Sequence, residues 1–159
     1  WRDWSSDVCF PISVTSGRIN APIREFGSGR MGVDPRRGKP STTEWKLAER
    51  LDGATLLRVH PATGRRHQIR VHLYHIGHPI LGDLRYGDRA RQERFPRLML
   101  HALEIEFTPP AGERVRIAAP APPSFKAVLA GLRANKRSYS PNGELEDIPE
   151  QKAERGVKR

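Results

Sequence analysis

The chain has 159 residues, 36% of them hydrophobic and 29% charged, with a formal net charge of +10. That length and apolar content fit one domain with one modest core; the single cysteine, Cys9, excludes an internal disulfide, and no apolar run approaches the roughly 18–20 residues that cross a bilayer. A positive excess of this size in so short a chain points to a polyanionic partner, either nucleic acid or an anionic membrane surface. Cysteine usage and the absence of a visible signal peptide lead to the expectation of a reducing, cytoplasmic setting. The chain begins at Trp1 rather than Met, so a piece of a longer product is expected.

In chain order, residues 1–16 show no clear period and are left unassigned. Residues 17–133 are expected to form the domain. From Gly17 the text runs GRINAPI and then FGSGRMGVDPRRGKP, whose glycines and prolines predict a loop or irregular hairpin. Arg30, Arg36, Arg37 and Lys39 make it a candidate RNA-contacting arm, with a mobile surface loop as the alternative. Residues 42–50 and 54–60 read as two strands joined by an Asp52-Gly53 turn. Residues 66–76 read as a helix with Ile69, Leu73 and Ile76 on one face, Thr63 able to cap its start and Gly77 stopping it. In residues 98–107, Leu103, Ile105 and Phe107 alternate with Glu104 and Glu106; a turn and a strand at 114–118 complete a half-buried antiparallel hairpin. Pro122 and Pro123 open a helix with Phe125, Val128, Leu129 and Leu132 on one stripe. Residues 134–159 are polar and mixed in charge, and a disordered tail is expected there. The whole predicts an α+β domain, mainly antiparallel sheet with short helices.

The charge is concentrated. Residues 58–97 hold nine basic and three acidic groups, +6 of the total, and all nine cations are Arg. Guanidinium forks suit phosphate oxygens and stack on bases; a solvated basic face or Arg-favouring codon usage is the plainer explanation. Within this stretch, PATGRRHQIRVHLYHIGHPILGDLRYG (residues 61–87) is the densest text. A turn at Thr63-Gly64 followed by a helix opening with Arg65 and Arg66 makes a phosphate site. Arg70 lies between Ile69 and Val71, so partial burial and an anionic partner are expected. His67, His72, His75 and His78 invite a metal reading, but HExxH is absent, Cys9 is remote, and no acid lies inside the helix. There is no GxSxG and no Walker loop.

The same run resembles the motif PxTGRxHQxRVHxxxxGHPIxGDxxYG of the RluA-like family of RNA pseudouridine synthases. RLMLHALEIEFTPP, GRINAPI and GKPSTTEW resemble that family's flanking segments, and the resemblance covers roughly residues 17–125. It implies the C-terminal part of a pseudouridine synthase catalytic domain, acting on a flipped-out uridine in structured rRNA or tRNA with no cofactor and no metal. It implies that Arg70 pairs with a nucleophilic aspartate and that Ile69 packs in the active-site wall. Arg65 and His67 would lie near the site and the RNA backbone. With Arg66, Arg85, Arg89, Arg91 and Arg94 they are the expected RNA contacts.

Three departures accompany the resemblance. Nothing matches the family's HRLD-x-x-TSG segment, which carries the nucleophile. Residues 1–16 hold no Tyr in a K-x-Y-x-A pattern. Arg66 replaces a Thr. Asp34, Asp83 and Asp88 are the nearby carboxylates, and Asp83 is expected to be a structural turn residue. Arg70 is therefore expected to lack its carboxylate, and the missing strands to leave a long sheet edge. The leading expectation is an RNA pseudouridine synthase, truncated in this chain and inactive alone. It is expected to be a monomer that binds RNA and no membrane. A non-catalytic RNA-binding remnant is the alternative, and a His-based metal hydrolase the third reading.

Overall fold

The computed structural model describes residues 2–110 and 112–134, with side chains from Ser5 onward. In chain order it contains β1 (Arg2–Cys9), β2 (Ser16–Asn20), β3 (Ile23–Glu25), β4 (Met31–Val33), β5 (Thr42–Leu51), β6 (Ala54–Pro61), α1 (Gln68–His75), α2 (Arg89–Gln92), β7 (Leu100–Phe107), β8 (Val115–Ala118) and α3 (Pro123–Ala134). Six strands form one antiparallel sheet in the order β2-β5-β6-β1-β7-β8, and β3 pairs with β4 in a separate hairpin. The expected tail falls, but for Ala134, outside the described residues.

The segment left unassigned supplies the centre of the sheet. β1 pairs with β6 on one side (Ser5 opposite Val59, Cys9 opposite Thr55) and with β7 on the other (Asp7 opposite Leu100). Ser5, Asp7, Val8 and Cys9 are all buried. A strand covered on both faces loses the alternation by which half-buried strands are recognised. Here even the composition misleads, because a buried Ser and Asp replace the usual β-branched residues. The sheet instead ends on β2 and β8, five and four residues long, so the expected long edge is not found at β1.

The β5–β6 hairpin turns where the sequence places it, with Leu51 opposite Ala54 and Gly53 at φ 58°. The core gathers Val8, Cys9, Leu57, Val59, Leu73, Ile80, Leu81 and Met99, each 0–1% exposed, with Phe125 and Leu129 of α3 completing it. β7 begins at Leu100, two residues later than its pattern suggests. Leu103, Ile105 and Phe107 and the intervening Glu104 and Glu106 are all only partly buried. The two glutamates pair with Arg116 and Arg114 across the hairpin.

The central helix differs in detail from its sequence pattern. It starts at Gln68, not Arg66, and its N-cap is His67 in the left-handed conformation (φ 57°) without a side-chain cap bond. Thr63 stabilises the helix start differently: its hydroxyl donates to Gln68 Oε1 (2.6 Å) and accepts from the Thr42 N–H (3.1 Å). The buried set is Gln68, Val71, His72 and Leu73. Of the expected face only Leu73 is fully buried; Ile69 packs at the core margin and Ile76 is 36% exposed.

Candidate functional site

Polar side chains fasten α1 to the sheet. The Gln68 amide donates to the Thr42 carbonyl (2.9 Å) and Thr43 Oγ1 (3.0 Å), and its oxygen accepts from Thr63 and from the Arg65 N–H (3.1 Å). His72 Nε2 lies 2.9 Å from the Ala21 carbonyl and Nδ1 lies 2.8 Å from Thr43 Oγ1. A carbonyl only accepts, so Nε2 carries the proton and Nδ1 takes the Thr43 hydroxyl. Burial, the largest influence, lowers the His72 pKa, which favours this neutral form. Among the described residues no three His, Cys, Asp or Glu side chains gather as a metal site would require.

This anchoring projects the N-terminal end of α1 into a cleft of about 660 Å³. Arg65, His67, Ile69 and Arg70 line it, opposite Leu98 and Leu100, with Thr63 and Gly64 at its rim. No acidic side chain is among its lining residues.

Arg70 is already paired. Its Nε and Nη2 each donate to Asp83 at 2.8 Å, one to each carboxylate oxygen. The arginine side chain is 17% exposed and the aspartate 0%. Asp83 Oδ1 also accepts the N–H groups of Arg85 and Tyr86, both at 3.0 Å. The carboxylate's hydrogen bond is the main reason the Arg70 pKa is raised. The expectation of an orphaned Arg70 is thus corrected: the turn carboxylate supplies the buried anion. Gly82 makes that turn possible. Its φ is 74°, and a Cβ there would fall 1.9 Å from the Arg97 carbonyl oxygen. Its N–H donates to Gln92 Oε1 (2.7 Å), which ties the turn to α2.

The remaining sequence-derived RNA contacts fall into two groups. Arg66 and Arg85 both donate to the Gly29 carbonyl, at 2.6 and 2.8 Å, and Arg66 also meets Glu25 at 2.9 Å. Both therefore hold the β3–β4 hairpin. Arg65, Arg89, Arg91 and Arg94 are exposed. Arg65 reaches only the Pro40 carbonyl (3.4 Å), Arg89 pairs with Glu93 (2.6 Å), and Asp88 caps α2 at the Arg91 N–H (3.0 Å).

Tyr86 and Gln68 are organising residues that residue-by-residue sequence reasoning missed. Tyr86 is 1% exposed. Its hydroxyl meets His67 Nδ1 (3.0 Å) and the Met31 N–H (3.2 Å), and its ring lies 5.0 Å from the Arg70 guanidinium carbon. It therefore fixes the left-handed His67 and flanks the ion pair. Burial first, then the charges of Arg70, Arg85 and Arg66, lower the His67 pKa, with Asp83 opposing. A Tyr and a Gln inside a dense motif were the only signals that could have found them.

An antiparallel sheet carrying this arginine cleft on a short helix defines a class. The family model described as RNA pseudouridylate synthase matches residues 8–75, from β1 to the end of α1. Over the matched residues the chain is similar to that family, in its RluA-like branch. It is 43% identical over 129 residues to ribosomal large subunit pseudouridine synthase C of Pasteurella multocida, covering 76% of this chain and 40% of the relative. It is 47% identical over 106 residues to the protein of that name from Escherichia coli K12, covering 62% and 33%. The solved structure of human RNA pseudouridylate synthase domain containing 1 superposes with a TM-score of 0.68 at 29% identity, over 84% of this chain and 66% of that one. The chain thus spans about 40% of the length of the Pasteurella relative.

Proposed function

We propose that the chain is the RNA-facing part of a pseudouridine synthase that isomerises uridine in large-subunit ribosomal RNA. Such an enzyme detaches the uracil, rotates it and rejoins it to the ribose through carbon. What supports the reading most is Arg70 at the wall of a cleft that offers cations and apolar surface and no acid. Ile69, Leu98 and Leu100 suit the face of an everted base, Arg65 suits an adjoining phosphate, and the exposed Arg91 and Arg94 add cations for the RNA backbone. The name shared by the bacterial relatives favours ribosomal over transfer RNA as substrate. The protein works as a cytoplasmic monomer without cofactor.

The isomerisation needs a carboxylate nucleophile at the base. Asp83 does not fill that role: its side chain is fully buried, and its oxygens are taken by Arg70 and two backbone N–H groups. The chain alone therefore binds RNA and leaves uridine unchanged. A non-catalytic RNA-binding remnant is the second reading, favoured by the self-sufficient Arg70–Asp83 pair.

The test is to incubate the purified chain with unmodified large-subunit rRNA transcript and quantify pseudouridine. None is expected, and turnover would overturn the assignment of roles. An in-frame HRLD-type segment in the coding DNA upstream of Trp1 would support the enzyme; a start codon adjacent to Trp1 would support the remnant.

A further inference from the structure

A second cleft, also about 660 Å³, opens along the flank of α1 against the β3–β4 hairpin. Its lining shares no residue with the Arg70 cleft. Its size falls within the roughly 300–1,000 Å³ of small-ligand clefts. Three aromatic rings reach it: Phe26 and Tyr74, 38% and 44% exposed, and the buried Tyr86. The Arg30 guanidinium carbon lies 5.7 Å from the centre of the Tyr74 ring and 5.3 Å from that of Tyr86. No acidic residue lines the cleft.

The walls are fixed. Arg66 and Arg85 hold the hairpin tip through the Gly29 carbonyl. The Phe26 ring occupies the space a side chain at position 32 would need, since a Cβ on Gly32 would come within 2.8 Å of it. The Phe26 ring already carries the Arg24 guanidinium, 4.5 Å from its centre, so Tyr74 is the exposed ring left to stack. An exposed tyrosine beside a cation, in a chain of net charge +10, supplies the ingredients of a stacking site for single-stranded nucleic acid. A pocket of this make-up disfavours an acidic peptide, whose side chains offer no flat ring to Tyr74.

We infer that this cleft is a second RNA subsite, which takes an unpaired nucleobase on Tyr74 and the adjoining phosphate on Arg30. The inference rests on the RNA reading above and extends it to a base other than the reacting uridine.

The experiment measures affinity of the purified chain, by fluorescence anisotropy, for a short single-stranded RNA and for the same strand with abasic positions. Tyr74→Ala is expected to weaken binding of the base-bearing strand by about 5- to 150-fold, the range for removing one base–aromatic stack. It should leave the abasic strand unchanged, and Tyr74→Phe should restore the affinity. Arg30→Gln should instead lower the salt slope by about 0.7, the value for one single-strand phosphate. Circular dichroism checks that each variant folds. If the wild type binds RNA and Tyr74→Ala matches it, or weakens both strands equally, the subsite is overturned and the RNA function stands. A dimer abolished by Tyr74→Ala with RNA affinity intact would also overturn it, assigning the face to a second copy. Failure of the wild type to bind either strand at low salt would overturn both.

Discussion

Asp83→Ala should be among the most damaging single substitutions in the chain. Removing one partner of a buried ion pair costs about 3–5 kcal/mol. Arg70 keeps 17% of its side chain exposed and can turn partly toward water, so the lower end, about 3 kcal/mol, applies. The Arg85 and Tyr86 N–H groups lose their acceptor as well, at about 1 kcal/mol each. The sum, about 5 kcal/mol, is comparable to the whole stability of a marginal domain. Asp83→Asn keeps an acceptor for the two N–H groups and should cost about 2 kcal/mol less than Asp83→Ala. Arg70→Met combined with Asp83→Ala should recover about 1–3 kcal/mol, because no uncompensated charge remains. Urea unfolding followed through the buried Trp45 reads these differences as shifts in midpoint. At a slope of about 2 kcal/mol/M, Asp83→Ala should move the midpoint by about 2.5 M or leave the chain unfolded. A shift no larger than the roughly 0.5 kcal/mol of an ordinary surface change would refute the idea that this pair holds the helix end.

Asp7 predicts a loss of stability as pH rises from acid to neutral. Burial pushes its pKa up to about 8, against the Ser5 hydroxyl and the nearby His101 N–H, and its Oδ1 has no hydrogen-bond partner. Between pH 3.8 and about 8 the folded chain holds a proton that the unfolded chain has released. Stability therefore falls as pH rises through that window, by at most about 1.4 kcal/mol per pH unit. Asp7→Asn should stabilise the chain more at pH 8 than at pH 5 in urea melts; equal gains would contradict the account. His72 acts with the opposite sign over an overlapping range. The folded His72 pKa lies below its ordinary 6.5, so the unfolded chain takes up the proton first and stability declines as pH falls below that value; His72→Gln should blunt that decline in an acid titration. RNA binding should weaken with salt, and replacing Arg65, Arg91 and Arg94 together by Gln should lower the salt slope by about 0.7 for each phosphate left without its cation. An unchanged slope would remove these three from the interface.

What the sequence made legible follows the strength of local signals. The β5–β6 hairpin and α3 were readable because a two-residue turn with Gly53 and a one-sided apolar stripe are local devices. β1 was not, because its identity as a strand comes from β6 and β7, both far along the chain. The start of α1 was misplaced because a left-handed His67 held by Tyr86, and a buried Gln68 amide, take the place of a Thr cap. Arg70 was correctly singled out as a guanidinium needing an anion, but its partner lies thirteen residues on, in a turn that looked merely structural. Arg66 and Arg85 looked like phosphate ligands by charge alone, while their protein partner is a backbone carbonyl that no side-chain pattern reveals.

Photo-crosslinking of the chain to RNA containing 5-bromouridine, followed by mass spectrometry of the joined peptides, addresses most directly whether the Arg70 cleft receives a uridine. Adducts on residues 61–70 and at Leu98 or Leu100 are expected, and they should fade when Arg65 is replaced. Adducts confined to β8 and α3, with residues 61–70 untouched, would contradict the account.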